Sequence, residues 1–268
     1  MNFIDNKKSH PMLRQFYWFA ATIFAFSCAI STPAIARLTP LSQRQWPPHV
    51  PTSDREMLLK NFPATVAQQP ENNELDEAEE HYNFGTTLQE RGDLEGALEE
   101  YRKALRLNPN LAEAHVNSGV IFVNRGEIDR AIEAYETAIE IDPQLPAAHY
   151  NLGNALAKNE NFFEAIEAYK RAIEILPNYS KAYYNMGNAW VNLGEEDAAI
   201  AAYRDAIRIE PEFAEAHANL GIILYQKGQE QEAQIVLTNA RDLFELQGNT
   251  QSANRVDQIL STIARPDS

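Results

Sequence analysis

Apolar residues recur in this chain with the spacing of paired amphipathic helices, and the segment 180–213 shows the pattern most clearly. Its first stripe is Ala182, Met186, Ala189 and Trp190, and its second stripe is Ala199, Ile200, Tyr203, Ala206 and Ile207. Positions spaced by three and four residues lie on one face of a helix. Gly194 separates the stripes and Pro211 follows the second, as expected for residues that end helices. The segment is therefore predicted to form two helices joined by a tight turn.

This helix pair is repeated along the chain at a constant interval of 34 residues. The recurring columns are Gly85, Gly119, Gly153, Gly187 and Gly221; Ala97, Ala131, Ala165, Ala199 and Ala233; Tyr101, Tyr135, Tyr169 and Tyr203; Ala104, Ala138, Ala172, Ala206 and Ala240; and Pro109, Pro143, Pro177 and Pro211. A fixed period of this length indicates an array of stacked supersecondary units. We place five units at 78–111, 112–145, 146–179, 180–213 and 214–247.

The columns resemble those of the tetratricopeptide repeat. In the third unit, Leu152-Gly153, Ala165, Tyr169 and Pro177 follow the family pattern, while Leu156 stands where the family has an aromatic residue. The resemblance covers all five units. It implies an all-α fold, an α-solenoid in which the helix hairpins form a right-handed superhelix.

Two features at the end of the array depart from the pattern. The fifth unit has Leu237 in the tyrosine column and Glu245 in the proline column, so its second helix is expected to continue to about Gly248. A further helix over 250–264 has apolar residues at i, i+3, i+4 and i+7. Because the last repeat of a solenoid needs a cover for its apolar end, residues 248–268 are predicted to form a capping helix and tail.

The amino terminus has the pattern of a secretory signal peptide over residues 1–36. A basic start is followed by the apolar run Phe16–Ile30 and by Ala34-Ile35-Ala36, a typical cleavage site. The run has 15 residues, whereas a membrane-spanning helix needs about 20. The expected location is therefore a periplasm or an equivalent lumen, with no membrane span in the mature chain. An uncleaved membrane anchor and lipidation of Cys28 remain alternatives.

Residues 37–73 differ from both neighbouring regions because they contain six prolines. Proline interrupts helices, so the segment is interpreted as a linker. One short helix is plausible at Ser53–Phe62. A linker of this composition acts as a spacer, although Trp46 and the prolines beside it could form a docking peptide.

The composition argues against several classes of function. A net charge of −15 disfavours nucleic-acid binding, which requires a basic surface. The single cysteine lies in the leader and excludes a disulfide framework. No motif supplies a nucleophile, an acid–base pair or a phosphate loop. We therefore expect no enzyme activity and no cofactor.

Four histidines at the fourth position of the units raise the question of a metal site. They are His81, His115, His149 and His217. Helices that pack together lie about 8–10 Å apart, whereas zinc needs nitrogen ligands at about 2 Å. Histidines on neighbouring repeats therefore cannot readily share an ion. We interpret them as substitutes for an aromatic residue at a packing position, and predict no metal site.

A column of polar residues crosses the first helices, which line the concave side of a solenoid of this kind. It consists of Asn83, Asn117, Asn151, Asn185 and Asn219. In the third and fourth units Tyr150, Asn154, Lys158, Lys181, Tyr184 and Asn188 accompany it. Asparagine is a mediocre helix former, so its recurrence in register calls for an explanation. The column resembles the asparagine ladder with which peptide-binding members of the family grip a main chain. Alternatively, each asparagine caps or bridges neighbouring helices.

These observations predict a non-enzymatic scaffold that binds an extended peptide segment of a partner protein in the concave groove. The two-carboxylate clamp of the chaperone-binding members is incomplete here, since Tyr82 occupies the place of its first lysine. The alternative is a structural assembly factor that self-associates or docks through its convex face or its last helix, where Val256–Ile263 is expected to be partly exposed. The sequence leaves the oligomeric state open.

Overall fold

The structure, a computed structural model, describes residues 72–264. Within that range the chain forms eleven α-helices and no strand, so the predicted all-α solenoid is confirmed. The helices are α1 Asn72–Glu90, α2 Leu94–Leu107, α3 Ala112–Asn124, α4 Ile128–Ile141, α5 Pro146–Lys158, α6 Phe162–Ile175, α7 Ser180–Asn192, α8 Glu196–Ile209, α9 Ala214–Gln226, α10 Glu230–Leu246 and α11 Thr250–Ile263. The predicted leader, the linker up to residue 71 and its short helix lie outside the described residues.

Each odd-numbered helix from α1 to α9 forms a hairpin with the even-numbered helix that follows it. In the hairpin of α3 and α4, Gly126 adopts φ 77° after the last turn of α3. The N–H of Glu127 then donates to the carbonyl of Phe122, and the N–H of Gly126 donates to that of Val123. This Schellman arrangement ends the first helix and redirects the chain.

Glu160 occupies the corresponding position in the third hairpin and adopts φ 60°. Its flanking hydrogen bonds match those around Gly126, because the N–H of Asn161 donates to Leu156 and that of Glu160 donates to Ala157. Residues with a side chain are disfavoured in this left-handed conformation. The third turn therefore keeps the shape of the others at some cost in backbone strain.

The glycine column allows a tyrosine to pack directly against the first helix of each hairpin. A Cβ atom on Gly187 would lie 2.6 Å from Cε1 of Tyr203, and the same obstruction exists at Gly85, Gly119 and Gly153. The four tyrosines are almost completely buried. The fixed interval of 34 residues therefore reflects one packing contact that is repeated in four hairpins.

Successive hairpins stack so that the two kinds of helix lie on opposite sides. Each second helix packs on the next first helix, and α3 contacts α5 while α5 contacts α7. We call the side formed by α1, α3, α5, α7 and α9 the first-helix face. The side formed by α2, α4, α6, α8 and α10 is the second-helix face.

The last helix covers the apolar end of the stack. Ala253, Val256 and Ile263 are buried in one cluster with Leu237 and Phe244 of α10. Asn249 caps the helix by accepting a hydrogen bond from the N–H of Ser252 at 3.1 Å. The partial exposure expected over Val256–Ile263 is confirmed for Ile259 and Leu260, which are half-buried, whereas Val256 and Ile263 are buried in this cluster. None of the helices in the described part of the chain combines the length and hydrophobicity that a membrane crossing requires.

Candidate functional site

A cluster of asparagine and tyrosine side chains joins the third repeat to the fourth on the first-helix face. Oδ1 of Asn154 accepts hydrogen bonds from the hydroxyl of Tyr169 at 2.9 Å and from Nδ2 of Asn185 at 2.8 Å. Nδ2 of Asn185 also donates to the hydroxyl of Tyr150 at 3.1 Å. The cluster thus connects α5, α6 and α7.

The same cluster recurs one repeat later. Oδ1 of Asn188 accepts from the hydroxyl of Tyr203 at 2.7 Å and from Nδ2 of Asn219 at 3.0 Å. Nδ2 of Asn219 donates to the hydroxyl of Tyr184 at 3.3 Å. Two adjacent joints between repeats are therefore built from one set of contacts.

These bonds fix which way the amides of Asn154 and Asn188 point. An amide oxygen accepts about two hydrogen bonds, and each Oδ1 already has two donors. Burial raises the pKa of Tyr169 and of Tyr203 well above the usual value, so both phenols remain protonated and act as donors. Among residues 72–264, the NH₂ groups of Asn154 and Asn188 donate to no other group. They are available to a ligand.

The first two repeats have only part of this arrangement. Nδ2 of Asn117 lies 3.4 Å from the hydroxyl of Tyr82. The hydroxyl of Tyr101 donates instead to Oε1 of Gln89 at 2.8 Å. The difference arises because Thr86 and Val120 occupy the ninth position, where the third and fourth units have asparagine.

A pocket of about 300 Å³ lies between α5 and α7 beside these clusters. It is lined by Asn154, Ala157, Lys158, Phe162, Tyr169, Asn185, Asn188, Ala189 and Asn192. Its polar groups are four amides, a phenol and the ammonium of Lys158, and none of the lining residues is acidic. Acidic residues outnumber basic ones by more than two to one over residues 72–264. This pocket is therefore a donor-rich site in an acidic protein.

The structure brings together four of the residues predicted for the groove, namely Asn154, Lys158, Asn185 and Asn188. Three more, Tyr150, Tyr184 and Asn219, belong to the clusters beside the pocket. The remaining four, Asn83, Asn117, Asn151 and Lys181, are not among the lining residues.

The asparagine column itself mainly bridges repeats, which is the alternative that the sequence left open. Nδ2 of Asn117, Asn185 and Asn219 each contacts a tyrosine of the preceding unit. Asn151 makes no side-chain hydrogen bond within the described residues, because Val116 occupies the equivalent position and cannot accept one. Asn154 and Asn188 at the ninth position differ from Asn151 because bonds to Oδ1 orient their free NH₂ groups, whereas no such bond orients the amide of Asn151.

Sequence reasoning missed Asn192, Phe162 and Tyr169 as pocket residues. Asn192 lies one helical turn after Asn188 and its Nδ2 donates to the carbonyl of Asn188 at 2.9 Å. The i, i+4 spacing of these two asparagines could have identified it. Tyr169 was recognised only as a packing residue, and its hydroxyl reaches the site through the hairpin contact with Gly153.

Tyr150 and Tyr184 are held by aromatic neighbours rather than projecting freely. The ring of Tyr150 lies 4.7 Å from that of Tyr179 and 6.1 Å from that of Tyr169. Tyr184 packs in the same manner on Phe213, at 4.8 Å. Their rings therefore form the rigid support of the amide clusters.

The histidines serve the turns between repeats. Nε2 of His115, His149 and His217 lies 2.9–3.1 Å from the carbonyl of the proline six residues earlier. A carbonyl can only accept, so Nε2 is the donor in each case. His81 instead bonds Glu100. Their role thus includes a hydrogen bond as well as the packing predicted for them, and no group of three potential metal ligands occurs within residues 72–264.

Comparison with known protein families agrees with this architecture. The sequence pattern of the family described as "TPR repeat" matches residues 85–124, 119–160 and 188–228. Two patterns described as "Tetratricopeptide repeat" match residues 146–179 and 168–201. The solved structure of MamA is 32% identical to this chain, with a TM-score of 0.57, and the match covers 62% of this chain and 96% of MamA. The chain belongs to the tetratricopeptide repeat family.

Other solved structures show the same fold. YrrB, described as a TPR protein with an unusual peptide-binding site, is 27% identical, with a TM-score of 0.55, over 66% of this chain and 90% of YrrB. PilF of Pseudomonas aeruginosa is 19% identical, with a TM-score of 0.57, over 73% of this chain and 95% of PilF. A comparison with curated proteins finds no match.

Proposed function

We propose that this protein is a non-enzymatic adaptor that binds an extended segment of a partner protein across α5 and α7. The observation that carries the proposal is the pair of oriented amide donors, Asn154 and Asn188, beside the pocket. Two further points support it. The family is built from protein-interaction repeats, and the similar protein YrrB has a peptide-binding site.

The spacing of the two donors suits an extended main chain. Asn154 and Asn188 occupy equivalent positions on neighbouring first helices, which pack roughly 8–10 Å apart. Three residues of extended peptide span about 10 Å. A peptide crossing from α5 to α7 would therefore present one carbonyl oxygen to each NH₂ group.

The pocket favours an acceptor-bearing side chain at its centre. Lys158 is exposed at the end of α5, and its neighbours in the lining are amides rather than carboxylates. A carboxylate or a side-chain carbonyl would bond to both kinds of donor. The apolar walls, Ala157, Phe162 and Ala189, would contact the carbon atoms of that side chain. The proposed ligand is an extended segment with an Asp, Glu, Asn or Gln residue, or a terminal carboxylate, at this point.

The test uses a substitution that preserves the internal clusters. In the double variant Asn154→Asp/Asn188→Asp, each carboxylate still accepts from its tyrosine and asparagine, but the outward donor becomes an acceptor. The matched control is Asn110→Asp/Asn239→Asp, two exposed asparagines outside the pocket lining that give the same change in net charge.

The partner is identified by placing a photo-crosslinking residue at Asn192 in the full chain and analysing the products from native cells by mass spectrometry. A second crosslinker at the exposed Ile235 on α10 reports on the second-helix face. We expect a partner that is captured only from position 192 and lost in the Asn154→Asp/Asn188→Asp background. Capture that survives this variant, or that is equal from position 235, would contradict the proposal.

A second candidate is an assembly element that self-associates through exposed apolar residues. Phe163, Ile235 and Leu246 are 66%, 65% and 84% exposed. Light scattering measures the oligomeric state of the full chain and of its Leu246→Ser variant, and so distinguishes self-association from peptide binding. A dimer that dissociates in the variant, with no crosslinked partner at position 192, would favour self-association.

The proposed location is a compartment reached through secretion, as the pattern of residues 1–36 indicates. Mass spectrometry of the chain purified from its own cells tests this proposal. Cleavage after Ala36 supports export of a soluble form. Retention of residues 1–36, or a lipid on Cys28, would instead assign the protein to a membrane surface.

A further inference from the structure

The second-helix face contains a second concave site, and its chemistry differs from that of the pocket between α5 and α7. A groove of about 720 Å³ lies between α4 and α6, with α5 at its base. Its apolar surface consists of Ile139, Leu152, Leu156, Phe163 and Ala168. We call this site the α4–α6 groove. It runs about two helical turns, since the residues from Phe163 to Arg171 of α6 extend roughly 12 Å.

An aromatic side chain stands exposed at the edge of this groove. Phe163 is 66% exposed although it is the second residue of a well-packed helix, whereas Leu152 and Leu156 are half-buried beneath it. Burying a phenylalanine side chain is favourable by about 1.5–3 kcal/mol. A large exposed aromatic residue beside an apolar concavity is typical of an interaction surface.

The rim of the groove is acidic. Glu136 and Glu140 lie on α4, and Glu164 and Glu167 lie on α6. Glu167 pairs with Lys170 at 2.7 Å, but the other three glutamates form no ion pair within the described residues. The one cation in the lining, Arg171, is bonded to Glu174 at 2.5 Å. Glu136, Glu140 and Glu164 therefore give the rim negative charge that no ion pair among the described residues neutralises.

The lining also decides which backbone conformation a ligand can have. Its one neutral polar side chain is that of His149, which is buried and already bonds the carbonyl of Pro143 through Nε2, and the lining has no amide or hydroxyl group for a peptide main chain. An extended segment buried there would leave N–H and C=O groups without partners, which is costly. A helix satisfies its own backbone hydrogen bonds. The groove thus suits a helix, in contrast to the amide-lined pocket on the first-helix face.

We propose that the α4–α6 groove binds an amphipathic helix of a partner protein that has basic residues flanking its apolar stripe. Two or three apolar side chains at i, i+4 and i+7 would contact Leu152, Leu156 and Phe163. Lysine or arginine residues beside that stripe would pair with Glu136, Glu140 and Glu164. This site is independent of the peptide site between α5 and α7, so the protein could hold two partners on opposite faces.

The experiment uses fluorescence anisotropy of a synthetic peptide titrated with the full chain at physiological salt. The probe is an amphipathic peptide of about four helical turns with Leu at i, i+4 and i+7 and Lys beside them. A second peptide has the same composition with Leu at alternate positions. Because any basic peptide is attracted to an acidic protein, the comparison depends on matched variants.

Two variants change the groove and two controls change equivalent residues elsewhere. Phe163→Ala removes the aromatic edge, and Ile235→Ala removes a side chain of nearly equal exposure on α10. The charge variant is Glu140→Lys/Glu164→Lys. Its control, Glu230→Lys/Glu245→Lys, makes the same change in net charge at exposed positions on α10.

We expect Phe163→Ala and Glu140→Lys/Glu164→Lys each to weaken binding of the helical peptide about tenfold or more, with the controls changing it less than about threefold. Equal binding of the two peptides, or equal losses in variant and control, would overturn the proposal. So would light scattering that shows a dimer of the full chain dissociated by Phe163→Ala, since the occupant would then be a second copy.

Discussion

Asn185 donates a hydrogen bond to Oδ1 of Asn154 across 2.8 Å, although the two residues lie 31 positions apart and in different repeats. The contact has a structural and a functional consequence. It links α5 to α7, and it occupies the acceptor of Asn154 so that the NH₂ group of that residue is free. The same bonds that align the repeats therefore orient the donors of the proposed peptide site.

Removal of the Asn154 side chain should destabilise the fold. Asn154→Ala leaves the buried hydroxyl of Tyr169 and an N–H of Asn185 without an acceptor, which costs about 1–3 kcal/mol of the free energy of unfolding. The control Asn151→Ala, on the same helix, removes a side chain that has no hydrogen bond among the described residues. It should change the free energy of unfolding by less than about 0.5 kcal/mol. Urea denaturation measures both. Equal effects would show that the cluster contributes no stability.

Gly187→Ala should also destabilise the protein, because the added methyl group would lie 2.6 Å from the Tyr203 ring. Overpacking of this kind costs about 1–3 kcal/mol. In a Tyr203→Ala background the obstruction is absent, and the same substitution should be neutral or stabilising because alanine favours helix. A double-mutant cycle by thermal denaturation tests the coupling. Additive effects would refute a direct contact.

Glu160→Gly should stabilise the third hairpin. Glu160 has φ 60°, and relief of the left-handed strain is worth about 1 kcal/mol. The reciprocal change, Gly194→Glu, introduces the same strain in the fourth hairpin, where Gly194 has φ 76°. The two variants should shift the urea midpoint in opposite directions. A shift in the same direction would indicate that side-chain contacts, rather than backbone conformation, determine the preference.

Stability should fall at alkaline pH. Burial raises the pKa of Tyr101 and Tyr179 to about 12, whereas an unfolded tyrosine titrates near pH 10, at about the value of a model peptide. Between these values the folded state holds protons that the unfolded state releases, so the free energy of unfolding decreases as pH rises. Urea denaturation at a series of alkaline pH values, with Tyr101→Phe for comparison, should show a shallower decline in the variant. A free energy independent of pH would contradict the argument.

The cap should be necessary for a monodisperse protein. Val256 is 3% exposed and packs on α10, so Val256→Asp places an unpaired charge in the core at a cost of about 3 kcal/mol. Gln258→Asp adds the same charge at an exposed position two residues away and serves as the control. We expect lower stability and larger particles by light scattering for Val256→Asp alone. A monodisperse, fully stable Val256→Asp protein would show that α11 is dispensable.

The fold could be predicted from the sequence because its main contacts recur at one interval. The contact of Gly153 with Tyr169 is repeated in the hairpins of Tyr101, Tyr135 and Tyr203, so the columns reveal it directly. The continuation of the last second helix was also foreseeable, since α10 ends at Leu246 before Gly248.

The site was predicted only in part, for a physical reason. The pattern placed Asn154, Asn185 and Asn188 on one face, but it could not show which amide hydrogens are already bonded. Whether a column asparagine is bonded depends on the fifth residue of the preceding unit. A tyrosine there accepts a hydrogen bond from the amide, whereas Val116 cannot accept one. The α4–α6 groove was not foreseen, because it arises from the gap between two second helices and not from any recurring residue.

The contacts between repeats join residues that are 31 or 35 positions apart. These separations are three residues less and one residue more than the repeat length of 34. Duplication of the segment 146–179 would consequently recreate every bond of the joint between the two copies. An insertion of another length inside one of these helices would instead rotate the bonded side chains out of register. Gene duplication could thus lengthen this array by whole repeats while each new junction forms without further mutation.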